Sequence, residues 1–252
     1  MGKTIALTNQ KGGVAKTTTC INLACALFLR GKKVLICDCD PQGNCTSGMG
    51  VDKNTRPNIY DILINGASAA ETIVKTKYGD IIPANKDLSG ATVELVGMEN
   101  NEYILKKALE QVKYDYDYIF IDCPPSLELL TLNAFVAADS AIVPVQCEYY
   151  AMEGLADLVT TIKMTNKRLN PRLDIEGLVM TMYDSRTNFS NQVVEEIRGY
   201  FGDKVYETMI PRSVRLAEAP SHGMPGVVYD KISKGPRAYR RLASEFLKKQ
   251  GK

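Results

Sequence analysis

Histidine is almost missing from this chain of 252 residues: His222 stands alone, in a stretch rich in Pro and Gly, and is not taken as catalytic. Seven cysteines are an odd number, none pairs with another at CxxC spacing, and most lie in apolar stretches. That pattern speaks against zinc or iron–sulfur ligation and for reduced thiols acting as small hydrophobes. No apolar run approaches the ~18–20 residues of a transmembrane helix. The opening Met-Gly-Lys-Thr-Ile-Ala-Leu-Thr runs straight into a strand pattern and lacks the apolar region and cleavage site of a signal peptide, so the expected location is the cytoplasm. Low-complexity tracts, repeats and Pro/Gly-rich linkers are missing too, which leaves one domain over residues 1–252. Net charge is scarce at +2, but it is unevenly spread. Residues 186–252 hold 13 Lys/Arg against 7 Asp/Glu, whereas residues 1–185 hold 18 against 22, which suggests one basic face near the C-terminus.

What is present is a regular alternation. Strand-like apolar runs occur at Lys3–Asn9, Lys33–Asp38, Asp80–Pro83, Asp117–Asp122, Ser140–Gln146, Ile175–Met182 and Lys204–Ile210. Helical patterns lie between them at Thr17–Arg30, Glu102–Val112, Met152–Leu169, Asn191–Phe201 and Tyr239–Lys248. Runs apolar at every position, such as Val34-Leu35-Ile36-Cys37, suit strands covered on both faces. The expected fold is α/β, a doubly wound, mostly parallel sheet with helices on both faces, which binds ligands at the carboxyl ends of its strands.

The first strand runs into Gln10-Lys11-Gly12-Gly13-Val14-Ala15-Lys16-Thr17-Thr18-Thr19 and then a helix. Nucleotide phosphates need converging backbone N–H donors and the positive end of a helix. Gly12 and Gly13 permit the unusual backbone, Lys16 can reach the β- and γ-phosphates, and the Thr17 hydroxyl can ligate Mg²⁺. Lys11 to Thr18 are thus candidate ATP-binding residues of a P-loop NTPase. Carboxylates follow two other strands, in Cys37-Asp38-Cys39-Asp40-Pro41-Gln42-Gly43-Asn44 and Ile121-Asp122-Cys123-Pro124-Pro125-Ser126. Asp122, behind four apolar residues, has the form of a carboxylate holding Mg²⁺ through water; Asp40 would orient the attacking water.

The loop departs from GxxxxGK[ST], with Gln10 in place of the first glycine and an extra Lys11, and it resembles the deviant Walker A motif KGGxGK[ST]T of the ParA/MinD family of ATPases. DxDPQGN, DCPPS, the stretch Pro144–Gly154 and Ile210-Pro211-Arg212-Ser213-Val214-Arg215-Leu216-Ala217-Glu218-Ala219-Pro220-Ser221-His222-Gly223 resemble chromosomal ParA/Soj members over nearly the whole chain. The resemblance is to the short form, without an N-terminal helix-turn-helix domain. It implies a slow ATPase that dimerises around ATP, with Lys11 reaching the nucleotide of the second subunit. It further implies binding to double-stranded DNA without sequence preference, a ParB-type partner that stimulates hydrolysis, and nucleoid association. By the same resemblance Glu148, Met182 and Pro211 lie near ribose and adenine. Ala15 stands where the family has glycine; a positive φ there would cost about 1 kcal/mol or more and affect nucleotide affinity or turnover.

Arg186 and Arg215 fall where the family's DNA-binding positions would be, and Lys231, Lys234 and Arg237 form a further basic cluster. The alternative is a MinD-like, membrane-recruited positioning ATPase. It needs a terminal amphipathic anchor. The last helix does align Tyr239, Leu242, Ala243, Phe246 and Leu247, but the expectation is that this stripe packs in the core and that no stable membrane association occurs. A nitrogenase-iron-protein-like reductase would need cysteines bridging a cluster, and Cys123 alone does not make one. A P-loop tyrosine kinase would carry a C-terminal tyrosine cluster, which is missing.

Overall fold

The computed structural model describes residues 2–148 and 151–251. Tyr149 and Tyr150, within the Pro144–Gly154 motif, lie outside the described residues. Six strands, β1 (Lys3–Leu7), β2 (Val34–Asp38), β3 (Asp80–Ile82), β4 (Tyr118–Asp122), β5 (Ser140–Gln146) and β6 (Asp174–Thr181), form one sheet in the order β3-β2-β4-β1-β5-β6. Every pairing between them is parallel. The helices are α1 (Lys16–Phe28), α2 (Asn44–Gly48), α3 (Ile59–Asn65), α4 (Ala69–Thr72), α5 (Leu88–Val96), α6 (Ile104–Glu110), α7 (Leu129–Ala137), α8 (Ala151–Arg168), α9 (Asn188–Phe201), α10 (Val214–Glu218), α11 (Gly226–Tyr229) and α12 (Lys234–Lys249).

Strand parity explains the layering. Ile5, Leu7, Tyr118 and Phe120 join Leu23, Leu27, Leu242 and Phe246 in one buried cluster, on the side of α1 and α12. The alternate residues Ala6, Ile119 and Ile121 join Leu63, Leu95, Leu109, Phe135 and Leu158 in the other, on the side of α3, α5, α6, α7 and α8. Every residue of β2 and β4 is buried, as strands covered on both faces require. The apolar stripe of α12 is consumed here: Tyr239, Leu242, Ala243 and Phe246 have no exposed surface, and Phe246 meets Tyr118 edge-on at 5.1 Å between ring centres. No described helix is long and apolar enough to cross a membrane.

One expected strand does not form. Val205 and Tyr206 approach β6 at Leu178, and Ile210 N donates to Met180 O at 2.8 Å. Between those contacts the segment advances four residues while β6 advances two, so it bows outward. The N–H groups of Glu207 and Thr208 are taken instead by the Glu245 carboxylate of α12, at 2.7 and 2.9 Å. The pattern at Glu102–Val112 also splits, into a 3₁₀ turn at Asn101–Tyr103 and then α6. All seven cysteines are free thiols, six of them buried.

Candidate nucleotide site

The sheet order sets the site. β4 lies between β1 and β2, with Leu7 opposite Asp122 and Asp38 opposite Asp122 at the carboxyl ends. Both carboxylates therefore stand beside the loop that leaves β1. That loop is held from three sides. Asn9 Nδ2 donates to Pro144 O at 2.9 Å, Asn9 Oδ1 accepts from Lys11 N at 3.0 Å, and the Thr181 hydroxyl donates to Val14 O at 3.0 Å. Gly13 has φ +76°, open to glycine without strain, and a side chain added at Gly12 or Gly13 would meet nothing within 4 Å.

Ala15 is the N-cap of α1, at φ 69° and ψ 34°, and its methyl offers no acceptor to the first turn. The leading N–H groups of α1 thus keep no side-chain cap, which suits an anion at the helix's positive end. The left-handed conformation is part of the folded loop itself. Its cost of roughly 1–2 kcal/mol for a residue with a Cβ therefore falls on folding. Ala15→Gly is expected to raise the melting temperature by about 2 °C, after the greater chain entropy of glycine is offset. An unchanged or lower value in differential scanning calorimetry would mean that the loop holds alanine without strain.

Lys16 is 7% exposed, and its Nζ donates to Lys11 O at 2.9 Å. Burial lowers its pKa, while Asp122, Cys123 and Asp40 act to raise it. Asp122 has no exposed surface, and among the described residues neither carboxylate oxygen has a hydrogen-bond partner. Burial, with Asp38 beside it, pushes Asp122 well above the usual carboxylate range. The Thr17 hydroxyl is near enough to oppose that rise but completes no hydrogen bond of ordinary geometry. Asp40 accepts from Gln42 N through Oδ1 at 2.9 Å, and its own N donates to Asp38 Oδ1 at 3.2 Å.

Asp38 is a site residue that sequence reasoning passed over. It is fully buried, accepts from Thr46 N and Oγ1 at 2.8 and 2.7 Å, and is raised by burial to about 6. Its role is to pin the Asp40 loop to α2. The signal was its place as the last residue of β2, level with Asp122. Asn22 is a second omission: Nδ2 donates to Thr18 O and Oδ1 accepts from Val227 N, at 2.8 and 2.9 Å, which ties α1 to α11. A cavity of about 280 Å³ adjoins the start of α1, lined by residues that include Thr17, Thr18, Asn44 and Pro220.

The three candidates for ribose and adenine converge at one corner. Gln146 pairs with Thr181, so Glu148 and Met182 leave adjacent strand ends, and Pro211 bridges to Tyr183. Met182 has φ 51°, a strained conformation for a side chain of its size and one that often marks a functional site. Glu148 forms an ion pair with Lys11 of the same chain. The lysine assigned to a second subunit is thus held at home here.

The basic candidates are brought together only in part. Lys231, Lys234 and Arg237 line a groove of about 940 Å³ with Arg240 and Arg241, two cations that the sequence reading left out. Lys234, Arg237 and Arg241 fall at i, i+3 and i+7 on α12, a spacing that could have revealed the stripe. Arg186 and Arg215 do not line this groove. A further groove of about 1080 Å³, lined by Arg198, Lys248 and Glu245 among others, lies away from the phosphate loop. His222 stacks on Tyr229, far in the chain from the carboxylates, with ring centres 4.9 Å apart.

Comparison with known proteins agrees with this geometry. The model of the AAA domain family matches residues 2–175. The sporulation initiation inhibitor protein Soj of Bacillus subtilis is 55% identical, over 97% of this chain and 98% of its own. The chromosome partitioning protein ParA of Caulobacter vibrioides is 48% identical, over 98% and 95%. Among solved structures, one called cobyrinic acid a,c-diamide synthase from Mycobacterium smegmatis, with bound ADP and magnesium, superposes with a TM-score of 0.88. It is 37% identical and covers 100% of this chain and 96% of that one. With the parallel sheet, the phosphate loop after β1 and relatives matched end to end, the chain belongs to the ParA/Soj family of P-loop ATPases.

Proposed function

We propose that this protein is a DNA-partitioning ATPase, for a chromosome or a plasmid, in which MgATP binding drives sandwich dimerisation and DNA binding and hydrolysis resets the switch. The observation that carries the nucleotide half is the pair of buried, unpartnered Asp122 oxygens beside Lys16 and the uncapped start of α1. Buried acceptors without donors suit a hydrated divalent cation, and the oxygen donors Thr17, Asp40 and Asp122 are of the kind Mg²⁺ takes. Bound there, Mg²⁺ would neutralise charge on the β- and γ-phosphates. Lys16 would turn from the Lys11 carbonyl to those phosphates. The N–H groups of Gly12 to Thr18 would cradle them, and Asp40 would orient the attacking water. Glu148, Met182 and Pro211 form the corner that would receive ribose and adenine.

Lys11 is free to serve a second subunit once its pair with Glu148 opens. Two basic faces then come side by side, and the groove of Lys231, Lys234 and Arg237, with Arg186 and Arg215, supports binding to DNA phosphates rather than bases. A ParB-type partner that stimulates hydrolysis, and residence on the nucleoid, complete the reading. The 48% identical ParA, named for chromosome partitioning, supports partitioning more strongly than the name of the 37% identical synthase supports another activity. The membrane-recruited alternative lacks support, since the stripe of α12 is buried.

The test is a salt titration of binding to unrelated duplexes, with and without ATP. Affinity is expected to rise with ATP and to fall by roughly 10³-fold between 50 and 200 mM salt if about six phosphates are engaged. Arg186→Ala and Arg215→Ala are each expected to weaken binding on every sequence and to leave unstimulated ATP turnover intact. Binding that ignores ATP, or that prefers one sequence strongly, contradicts the switch.

A further inference from the structure

We propose that the carboxylates of Asp184, Glu218 and Asp230 hold Arg186 and Arg215 in competition with DNA phosphates and so set the affinity of this face for duplex. The inference rests on the DNA reading above and concerns how strongly, rather than whether, the face binds.

The two arginines differ from the groove cations in one respect. Among the described residues, Lys231, Lys234 and Arg237 form no ion pair, whereas both arginines are counter-charged. The Arg186 side chain is 86% exposed, yet it sits in a two-pronged pair, with Nε donating to Asp184 Oδ1 at 2.9 Å and an Nη to Oδ2 at 2.7 Å. A phosphate would seek the same fork. The acid is also built into the turn that precedes α9. Its Oδ1 accepts from Arg186 N at 3.0 Å, and its carbonyl accepts from the Thr187 N and hydroxyl. Thr187 in turn caps α9. The bond from Arg186 N to Oδ1 thus anchors the Asp184 carboxylate in the turn, beside the arginine. Its hydrogen bonds from Arg186 pull it down to about 2, so it stays ionised across the physiological range.

Arg215 is flanked on two sides. Glu218, one turn along α10, takes an Nη at 2.9 Å, and Asp230 lies 3.6 Å from Nε. Asp230 is itself fixed by the N–H groups of Ile232 and Ser233, in the turn that leads into Lys234. The pairing thus recurs on two separate segments of the chain. An exposed pair of good geometry changes an equilibrium by a factor of about 2–5, so each acid withholds about that much affinity. Where a dimer presents two copies of the arginine, the combined factor is on the order of 10.

A double-mutant cycle decides between competition for Arg186 and a plain change of net charge. Binding of a fluorescent duplex to the full chain with ATP is measured for Asp184→Asn, Arg186→Ala and the double variant. Asparagine keeps the acceptor for Arg186 N, so the turn survives. Asp184→Asn is expected to bind about 3- to 10-fold more tightly with a steeper salt dependence, Arg186→Ala to bind more weakly, and the double variant to match Arg186→Ala. A gain of the same size in the Arg186→Ala background makes Asp184 an ordinary surface charge and overturns the proposal. So does weaker binding by Arg186→Ala alongside unchanged binding by Asp184→Asn, which leaves the DNA reading intact. Should Arg186→Ala and Arg215→Ala both bind as the parent does, the DNA reading of these arginines falls and the proposal with it. The same cycle with Glu218→Gln and Arg215→Ala gives an independent second measurement.

Discussion

Lys16→Ala is expected to abolish ATP binding, or to weaken it by a factor on the order of 10² or more. The loss follows from where the ammonium sits. It is nearly buried and is the cation that opposes the charge of Asp122 and Asp40 from within the loop. Removing one partner of a buried, charge-assisted contact costs about 2–5 kcal/mol, which is 30-fold to several thousand-fold in a dissociation constant. The free protein should fold, since among the described residues Lys16 Nζ hydrogen-bonds to the Lys11 carbonyl alone. Calorimetric titration with MgATP, alongside a melting curve, separates a lost ligand from a lost fold. Parental affinity in a folded Lys16→Ala would remove this loop as the nucleotide site.

Asp40→Ala is expected to separate binding from turnover. One oxygen of Asp40 is committed to Gln42 N, and no hydrogen bond among the described residues engages the other. The residue lies outside the phosphate loop, so its loss leaves Lys16 and the N–H groups of α1 in position. Loss of a group that orients or activates water lowers the rate by about 10²–10⁴ while leaving the substrate bound. The ATP-loaded dimer should then persist, and light scattering with ATP would record it beside a phosphate-release assay. Turnover at the parental rate would remove Asp40 from the reaction. Asp38 makes the contrast: its oxygens carry the Thr46 and Asp40 N–H groups, so substituting it should loosen the loop and weaken folding as well as catalysis.

Much of this was legible because the relevant signals are local. The phosphate loop, Asp40 and Asp122 each follow an apolar strand, and strand ends are where such a sheet gathers its ligands. Strand order was not legible, since nothing in residues 3–38 announces that β4 will come between β1 and β2. Helix α7 escaped notice for a physical reason: Leu130, Thr131, Asn133, Ala134, Phe135, Val136 and Ala137 are all buried, so it carries no polar stripe from which to read a period. The run Lys204–Ile210 had a strand's composition, but its central N–H groups are claimed by Glu245, a residue 37 or 38 positions away. The pair of Lys11 and Glu148 spans 137 residues and has no sequence signature at all. Arg186 and Arg215 were found as cations, yet the acids that restrain them looked like ordinary surface residues.

The place of β1 also governs when the site can exist during synthesis. Among the described residues, the backbone of Lys3–Leu7 hydrogen-bonds to residues 117–123 on one edge and to residues 139–142 on the other. A nascent chain that has just emitted Asp40 carries the phosphate loop and one carboxylate but has no strand against which to set them. At about 5–20 residues per second, the wait from Leu7 to Asp122 lasts roughly 6–23 s. Throughout that interval ATP has no crevice to occupy, so the nucleotide cannot assist the earliest steps of folding. It can act only as a late stabiliser, after the ribosome has delivered β4.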